Sequence, residues 1–169
     1  MKSILNQLFG YQAWAHQEFM VAISTLDKKA HPATYERVTR LMNHCLVVNQ
    51  IFMAHLSNRE HSYDSSNTTA IPDLPILASN LRDADQWYES YVETVGPEQL
   101  AEPISFRFTD GKQGKMTRGE MLMHVITHGG YHRGEVGRLL TLAQPGIDIP
   151  WDTFAVYLHG QEPDRRITN

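Results

Sequence analysis

The sequence predicts an all-α protein: a four-helix bundle with a long crossover after its second helix, a small hairpin before its fourth and a short C-terminal helix. Three observations carry this. Four long stretches repeat apolar residues at the 3.6-residue period of an amphipathic helix. Residues 58–72 are polar and without period, as a segment recrossing a bundle would be. Alternation at period two is confined to Ile104–Phe108.

The first helix is expected over residues 2–26, where Ile4, Leu8, Tyr11, Ala15, Phe19, Ala22 and Leu26 form a stripe. Trp14 and His16 flank it. His16 has no second histidine one turn away and reads as a boundary or solvent residue. Lys28-Lys-Ala-His-Pro32 breaks the helix. The second helix, from about 33 to 57, carries Val38, Leu41, Cys45, Val48 and Phe52, thickened by Met42 and Ile51. After the crossover, where His61 reads as a solvated loop residue, Asp73 is placed to cap a third helix with Pro75 in its first turn. Its stripe is Leu77, Leu81, Ala84, Trp87 or Tyr88, Tyr91 and Val95. Arg82, Asp83, Asp85, Glu89 and Glu93 read as its solvated face, and Gly96-Pro97 ends it.

Ile104–Phe108 followed by Thr-Asp-Gly-Lys-Gln-Gly predicts the hairpin. Thr117 with Glu120 forms a capping box for a fourth helix over 117–143, which Pro145-Gly146 closes. Four interior glycines, Gly129, Gly130, Gly134 and Gly137, weaken this helix by about 1 kcal/mol each, so close approach of another helix is expected. Pro150–Leu158 predicts the short last helix, ending at Gly160. Residues 1–160 thus read as one domain and 161–169 as a loose polar tail.

The 169 residues contain no apolar run of transmembrane length and no signal-peptide core. The single Cys45 excludes an internal disulfide, fits a reducing cytoplasm and reads as a small buried hydrophobe. A net charge of −4 and the absence of a basic run argue against nucleic acid as a partner. Nine histidines raise the expectation of a metal site or a pH response.

His124, His128 and His132 lie four residues apart on the fourth helix, hence on one face. Two imidazoles so spaced can grip one metal ion, and a third ligand must come from another helix. All three cannot serve one ion, because His124 and His132 are about 12 Å apart along the axis. His44 lies beside the stripe of the second helix and near its midpoint, as His128 and His132 lie near the midpoint of theirs. His55 shares that face but lies about 16 Å further on, at the wrong level.

Tyr11-Gln-Ala-Trp14-Ala15, Leu41-Met-Asn-His44 and His124-Val-Ile-Thr-His128-Gly-Gly-Tyr-His132-Arg133-Gly134-Glu135 together resemble the DinB-like family of metal-binding four-helix bundles. The order of elements agrees over nearly the whole chain. The resemblance implies that His44, His128 and His132 bind one divalent metal ion, Zn or Ni before Fe or Cu, and that the protein is a homodimer. Trp14, Met20 and Ile23, off the main stripe of the first helix, are the residues expected to face the partner copy. The family commonly has Gln where this chain has Glu135. Glu135 returns to the face of His128 and can serve a metal ligand or form an outward salt bridge.

Three functional readings follow. The resemblance implies a metal-dependent transferase that activates a low-molecular-weight thiol, for whose carboxylates Arg133 and Arg138 are candidates, although surface charge is their simpler role. A metallohydrolase would use metal-bound hydroxide with Glu135 or His124 as proton carrier. A non-catalytic metal-binding stress protein would use the ion to tie two helices together.

Overall fold

The computed structural model describes residues 2–165. The helices are α1 (Lys2–Thr25), α2 (Pro32–Leu56), α3 (Leu74–Thr94), the one-turn α4 (Pro97–Leu100), α5 (Arg118–Ala143) and α6 (Phe154–Gln161). Strands β1 (Pro103–Arg107) and β2 (Gln113–Thr117) pair antiparallel before α5, with Ser105 opposite Lys115. The short α4 and a 3₁₀ turn at Pro163–Arg165 are the elements that sequence periodicity missed; both are shorter than two helical periods. The expected tail therefore begins with ordered backbone, and its residues 166–169 lie outside the described part.

Local chemistry explains the ends. Proline occupies the first turn of α2, α3 and α4, where its missing N–H is harmless. The capping box at α5 is present in both directions: Glu120 N–H donates to Thr117 Oγ1 at 3.1 Å and Thr117 N–H donates to Glu120 Oε2 at 2.7 Å. Asp73 sits at the N-cap of α3, but its side chain makes no capping bond; only its carbonyl is used, accepting from Leu77 N–H at 2.9 Å.

The four long helices close a ring in the order α1, α3, α2, α5. Leu5 and Phe9 of α1 share one apolar cluster with Phe52 and Leu56 of α2, Val92 of α3 and Met121 of α5. Phe19 and Ile23 share the other with Val38, Leu77 and Leu140. Helices α1 and α5 therefore run one way and α2 and α3 the other. The parallel pair α2–α3 is what requires the long crossover over residues 57–73. Burying one such Leu or Phe contributes about 1.5–3 kcal/mol, and the two clusters hold the bundle at its two ends.

Between the clusters lies a polar layer to which every long helix contributes. Gln12, His16, Asn49, Asp85 and Arg133 are all buried there. Arg133 is wholly enclosed; its Nε donates to Asp152 Oδ2 at 2.8 Å, the same carboxylate accepts from the Tyr11 hydroxyl, and the guanidinium lies over the Tyr11 ring. His16 Nδ1 meets both carboxylate oxygens of Asp85, at 3.0 and 2.9 Å. These partners offset the cost of burying charge.

This layer corrects several expectations. His16 and Asp85 are neither boundary nor solvated residues but a buried pair. Arg133 is not a surface charge. At the start of α1 the buried positions are Leu5, Phe9 and Gln12, while Ile4 is 42% exposed. The apolar stripe was displaced because polar Gln12 and His16 occupy inward positions. Met20 and Ile23, expected to face a partner copy, belong to the core cluster, so they give no support to a dimer. His61 is half-buried, its ring 5.1 Å from that of His55. Cys45 is a buried free thiol, as its composition suggested. Among the described residues no helix is long and apolar enough to cross a membrane.

Candidate metal centre

Antiparallel packing of α2 on α5 brings the middle of each helix to one level, on the side of the bundle away from α1 and α3. There the side chains of His44, His128 and His132 converge, with one ligand-type atom from each lying within 4.8 Å of the others. His128 and His132 are one helical turn apart, their ring centroids separated by 4.6 Å. His44 meets them from the facing helix, at 4.9 and 4.8 Å between centroids. All three are partly exposed.

The crossover positions the third histidine. His44 Nδ1 lies 2.9 Å from the Ser66 carbonyl, which can only accept, so Nδ1 carries the hydrogen and the Nε2 lone pair faces the centre. The Ser66 segment is held beside α2 by Asn43, whose Nδ2 donates to Thr68 Oγ1 at 2.7 Å, and by Arg40, which donates to the Thr68 carbonyl. A backbone acceptor of this kind leaves no trace in a sequence motif, and it was missed.

Burial pushes the His128 imidazole down to about 3, with the charges of His132, His44 and His124 adding to it. His132 is lowered by burial and by His44, against a smaller upward pull from Glu135. These two rings are therefore neutral near pH 7, the state in which imidazole binds a metal. The Nδ1 atoms of both are buried without a hydrogen-bond partner.

Of its two expected roles, Glu135 takes the salt bridge. Its Oε1 accepts from Arg37 Nη2 at 2.9 Å, an ion pair with an exposed arginine, while Oε2 lies 3.9 Å from His132 Nδ1, beyond hydrogen-bond reach. His124 is not part of the three-atom cluster. Its ring stacks on His128 at 5.4 Å and lies 4.7 Å from that of Phe52. Arg138 is exposed.

Only part of the glycine content of α5 has a packing cause. A Cβ on Gly129 would lie 3.0 Å from Arg133 Nη1 and 3.1 Å from Gln12 Oε1, and one on Gly137 would touch Phe19 at 3.5 Å. Gly134 faces open space.

Three imidazoles from two helices, partly open to solvent, could hold a divalent metal ion. Fold and side-chain cluster together define a four-helix bundle with a candidate divalent-metal centre between its second and fourth long helices. The chain belongs to the DinB family, whose profile matches residues 1–165. It is similar to Protein DinB of Bacillus subtilis (strain 168), 24% identical over 168 residues that cover 94% of this chain and 95% of that one. No solved structure matches it.

Proposed function

We propose that this protein binds one divalent metal ion, Zn or Ni before Fe or Cu, through His44, His128 and His132, and uses the remaining coordination position to take a low-molecular-weight thiol for transfer. The observation that supports this most directly is the ligand count. Three imidazoles converge, and no other His, Cys, Asp or Glu among the described residues joins them. Closed structural sites use four protein ligands, whereas three leave a place for an exogenous one.

The ion, when bound, would supply a positive charge that favours the thiolate form of a thiol. The chain supplies the rest. The Ser66 carbonyl fixes the orientation and tautomer of His44. Glu135, held by Arg37, has its other carboxylate oxygen 3.9 Å from His132 Nδ1 and is one candidate for a proton released by the thiol. His124, with its imidazole lowered by burial, is a neutral base beside His128 and the other candidate for that proton. The Phe52 ring packs against His124.

A non-catalytic reading draws on a different observation: the ligands come from two helices, so a bound ion also staples α2 to α5. Co(II)-loaded protein separates the two. Absorption bands that shift when a small thiol or azide is added support an open, thiol-accepting centre. Bands unchanged by saturating thiol and azide would sink the transferase reading and leave the staple. Elemental analysis of protein purified without a histidine tag identifies the metal.

A further inference from the structure

Residues 57–73 cross the bundle without adding to its core. None of them is buried, and none belongs to either apolar cluster. The crossover is therefore held to the helices by polar bonds, each of which competes with water. A segment held in this way opens more readily than the helices it joins.

Three of those bonds come from one face of α2, where Arg40, Asn43 and His44 stand at i, i+3 and i+4. His44 Nδ1 lies 2.9 Å from the Ser66 carbonyl, Asn43 Nδ2 donates to Thr68 Oγ1 at 2.7 Å, and Arg40 Nη1 donates to the Thr68 carbonyl at 3.4 Å. The Thr68 hydroxyl gives its own hydrogen to the Ala70 carbonyl at 2.7 Å, so it accepts from Asn43 while donating along the crossover. One of these three helix residues belongs to the histidine cluster. The two ring nitrogens of His44 face different partners: Nε2 the centre, 3.0 Å from His128 Nε2, and Nδ1 the crossover.

That division couples the two. An imidazole with a cation on Nε2 carries its hydrogen on Nδ1, where the Ser66 carbonyl accepts it, and the cation makes that N–H a stronger donor. A metal-free neutral ring has a second tautomer, with the hydrogen on Nε2 and a bare Nδ1 set against a carbonyl oxygen. In that state the contact repels, and the crossover loses one of its few anchors.

We propose that residues 66–68 form a clasp through which metal occupancy controls the crossover: an ion held by His44, His128 and His132 fastens residues 59–72 onto α2, and Thr68 in return is a positioning residue for that ion. This rests on the metal-binding reading given above and adds a consequence to it. The two effects share one factor, because whatever the ion adds to closure of the crossover, closure adds to the affinity for the ion. Loaded and empty proteins then present different surfaces at this edge of the centre.

The test is chymotrypsin cleavage after Tyr63, located by fragment mass, together with zinc affinity by chelator competition on the same samples. Tyr63 is half-buried and its hydroxyl donates to Gln50 Oε1, so the cut reports opening of the crossover. Saturating zinc slows it at least about fivefold. In His132→Ala, which keeps His44 and Ser66 but lacks one ligand, the same zinc concentration does not, and this variant also shows that zinc leaves the protease active. Thr68→Val keeps the side-chain shape, removes the acceptor of Asn43 and weakens zinc binding by about tenfold. Thr94→Val, which removes an exposed hydroxyl bond at the end of α3, leaves the affinity unchanged. The proposal is overturned if zinc binds the wild type without slowing the cut, or if Thr68→Val binds zinc as tightly as the wild type; the metal-binding reading survives either result. If the folded protein resists chymotrypsin altogether, the Thr68→Val affinity decides alone. Failure of the wild type to bind zinc overturns both the clasp and the reading beneath it.

Discussion

The Nε2 atoms of His44 and His128 lie 3.0 Å apart across the α2–α5 interface. With His44 Nδ1 committed to the Ser66 carbonyl, a neutral His44 has only a lone pair to present. Two such lone pairs repel unless His128 donates or a cation lies between them. If His128 donates, its Nδ1 is the bare nitrogen, and that atom is buried without a partner. A cation between the two Nε2 atoms removes the repulsion, since two nitrogens about 2.0–2.1 Å from a tetrahedral ion stand about 3.3 Å apart.

Divalent metal should therefore raise thermal stability. At a metal concentration of about 100 times Kd the gain is about 2.7 kcal/mol, or about 5–10 °C for a chain of this size. His44→Ala, His128→Ala and His132→Ala should each lose that shift and weaken metal binding by about 100-fold or more in a chelator competition. His124→Ala should retain both. Wild-type affinity in His128→Ala would show that the ion sits elsewhere.

His55 provides a pH response away from this centre. Its imidazole is lowered by burial first and then by the neighbouring His61. The unfolded chain therefore binds a proton near pH 6.5 that the folded chain takes up only at lower pH. The stabilising contribution is complete above about pH 6.5 and is lost as pH falls through the folded value. An NMR titration should place His55 below the ordinary histidine range, and His61→Ala should move it back up. A His55 titration indifferent to His61→Ala would mean that the two rings do not interact.

Much of this molecule was legible before folding was considered. The Thr117–Glu120 box marked the start of α5 because both partners lie within four residues. The i, i+4 spacing of His128 and His132, with His44 at the midpoint of its own helix, anticipated the cluster because helix geometry converts sequence position directly into height. What escaped shares one physical cause. Gln12, His16, Asp85 and Arg133 are polar on inward faces, and polarity at those positions reads as solvent. Their partners, including Asp152 across 19 residues and Asp85 across 69, are fixed only by tertiary packing. The Ser66 carbonyl escaped because a backbone group has no residue signature.

The buried Arg133 yields a stability test. Its side chain is 0% exposed and that of Asp152 is 13% exposed. Asp152→Ala should cost about 3–5 kcal/mol, because it leaves a guanidinium uncompensated in the core. Arg37→Ala breaks the pair with Glu135, but that arginine is 63% exposed, and its loss should cost less than about 1 kcal/mol. Urea unfolding measures both, and comparable losses would contradict the burial argument.

Two glycines of α5 should respond to alanine with opposite signs. Replacing Gly by Ala in a helix interior gains about 1 kcal/mol from backbone entropy and propensity. At Gly134 nothing lies within 4 Å of the new methyl group, so that gain should appear almost undiminished. At Gly129 the methyl would lie 3.0 Å from Arg133 Nη1 and 3.1 Å from Gln12 Oε1. Side-chain ends often yield to such crowding, but these two have little room to do so. Arg133 is held by Asp152, Gln12 is fully buried, and displacing either disturbs the layer that separates the two apolar clusters. Overpacking of this kind costs about 1–3 kcal/mol, which exceeds the propensity gain. Gly129→Ala should therefore lower the urea midpoint and Gly134→Ala raise it, with the unfolding slope unchanged in both. A Gly129→Ala protein more stable than wild type would show that the polar layer is looser than its packing implies, with Arg133 free to move without losing Asp152.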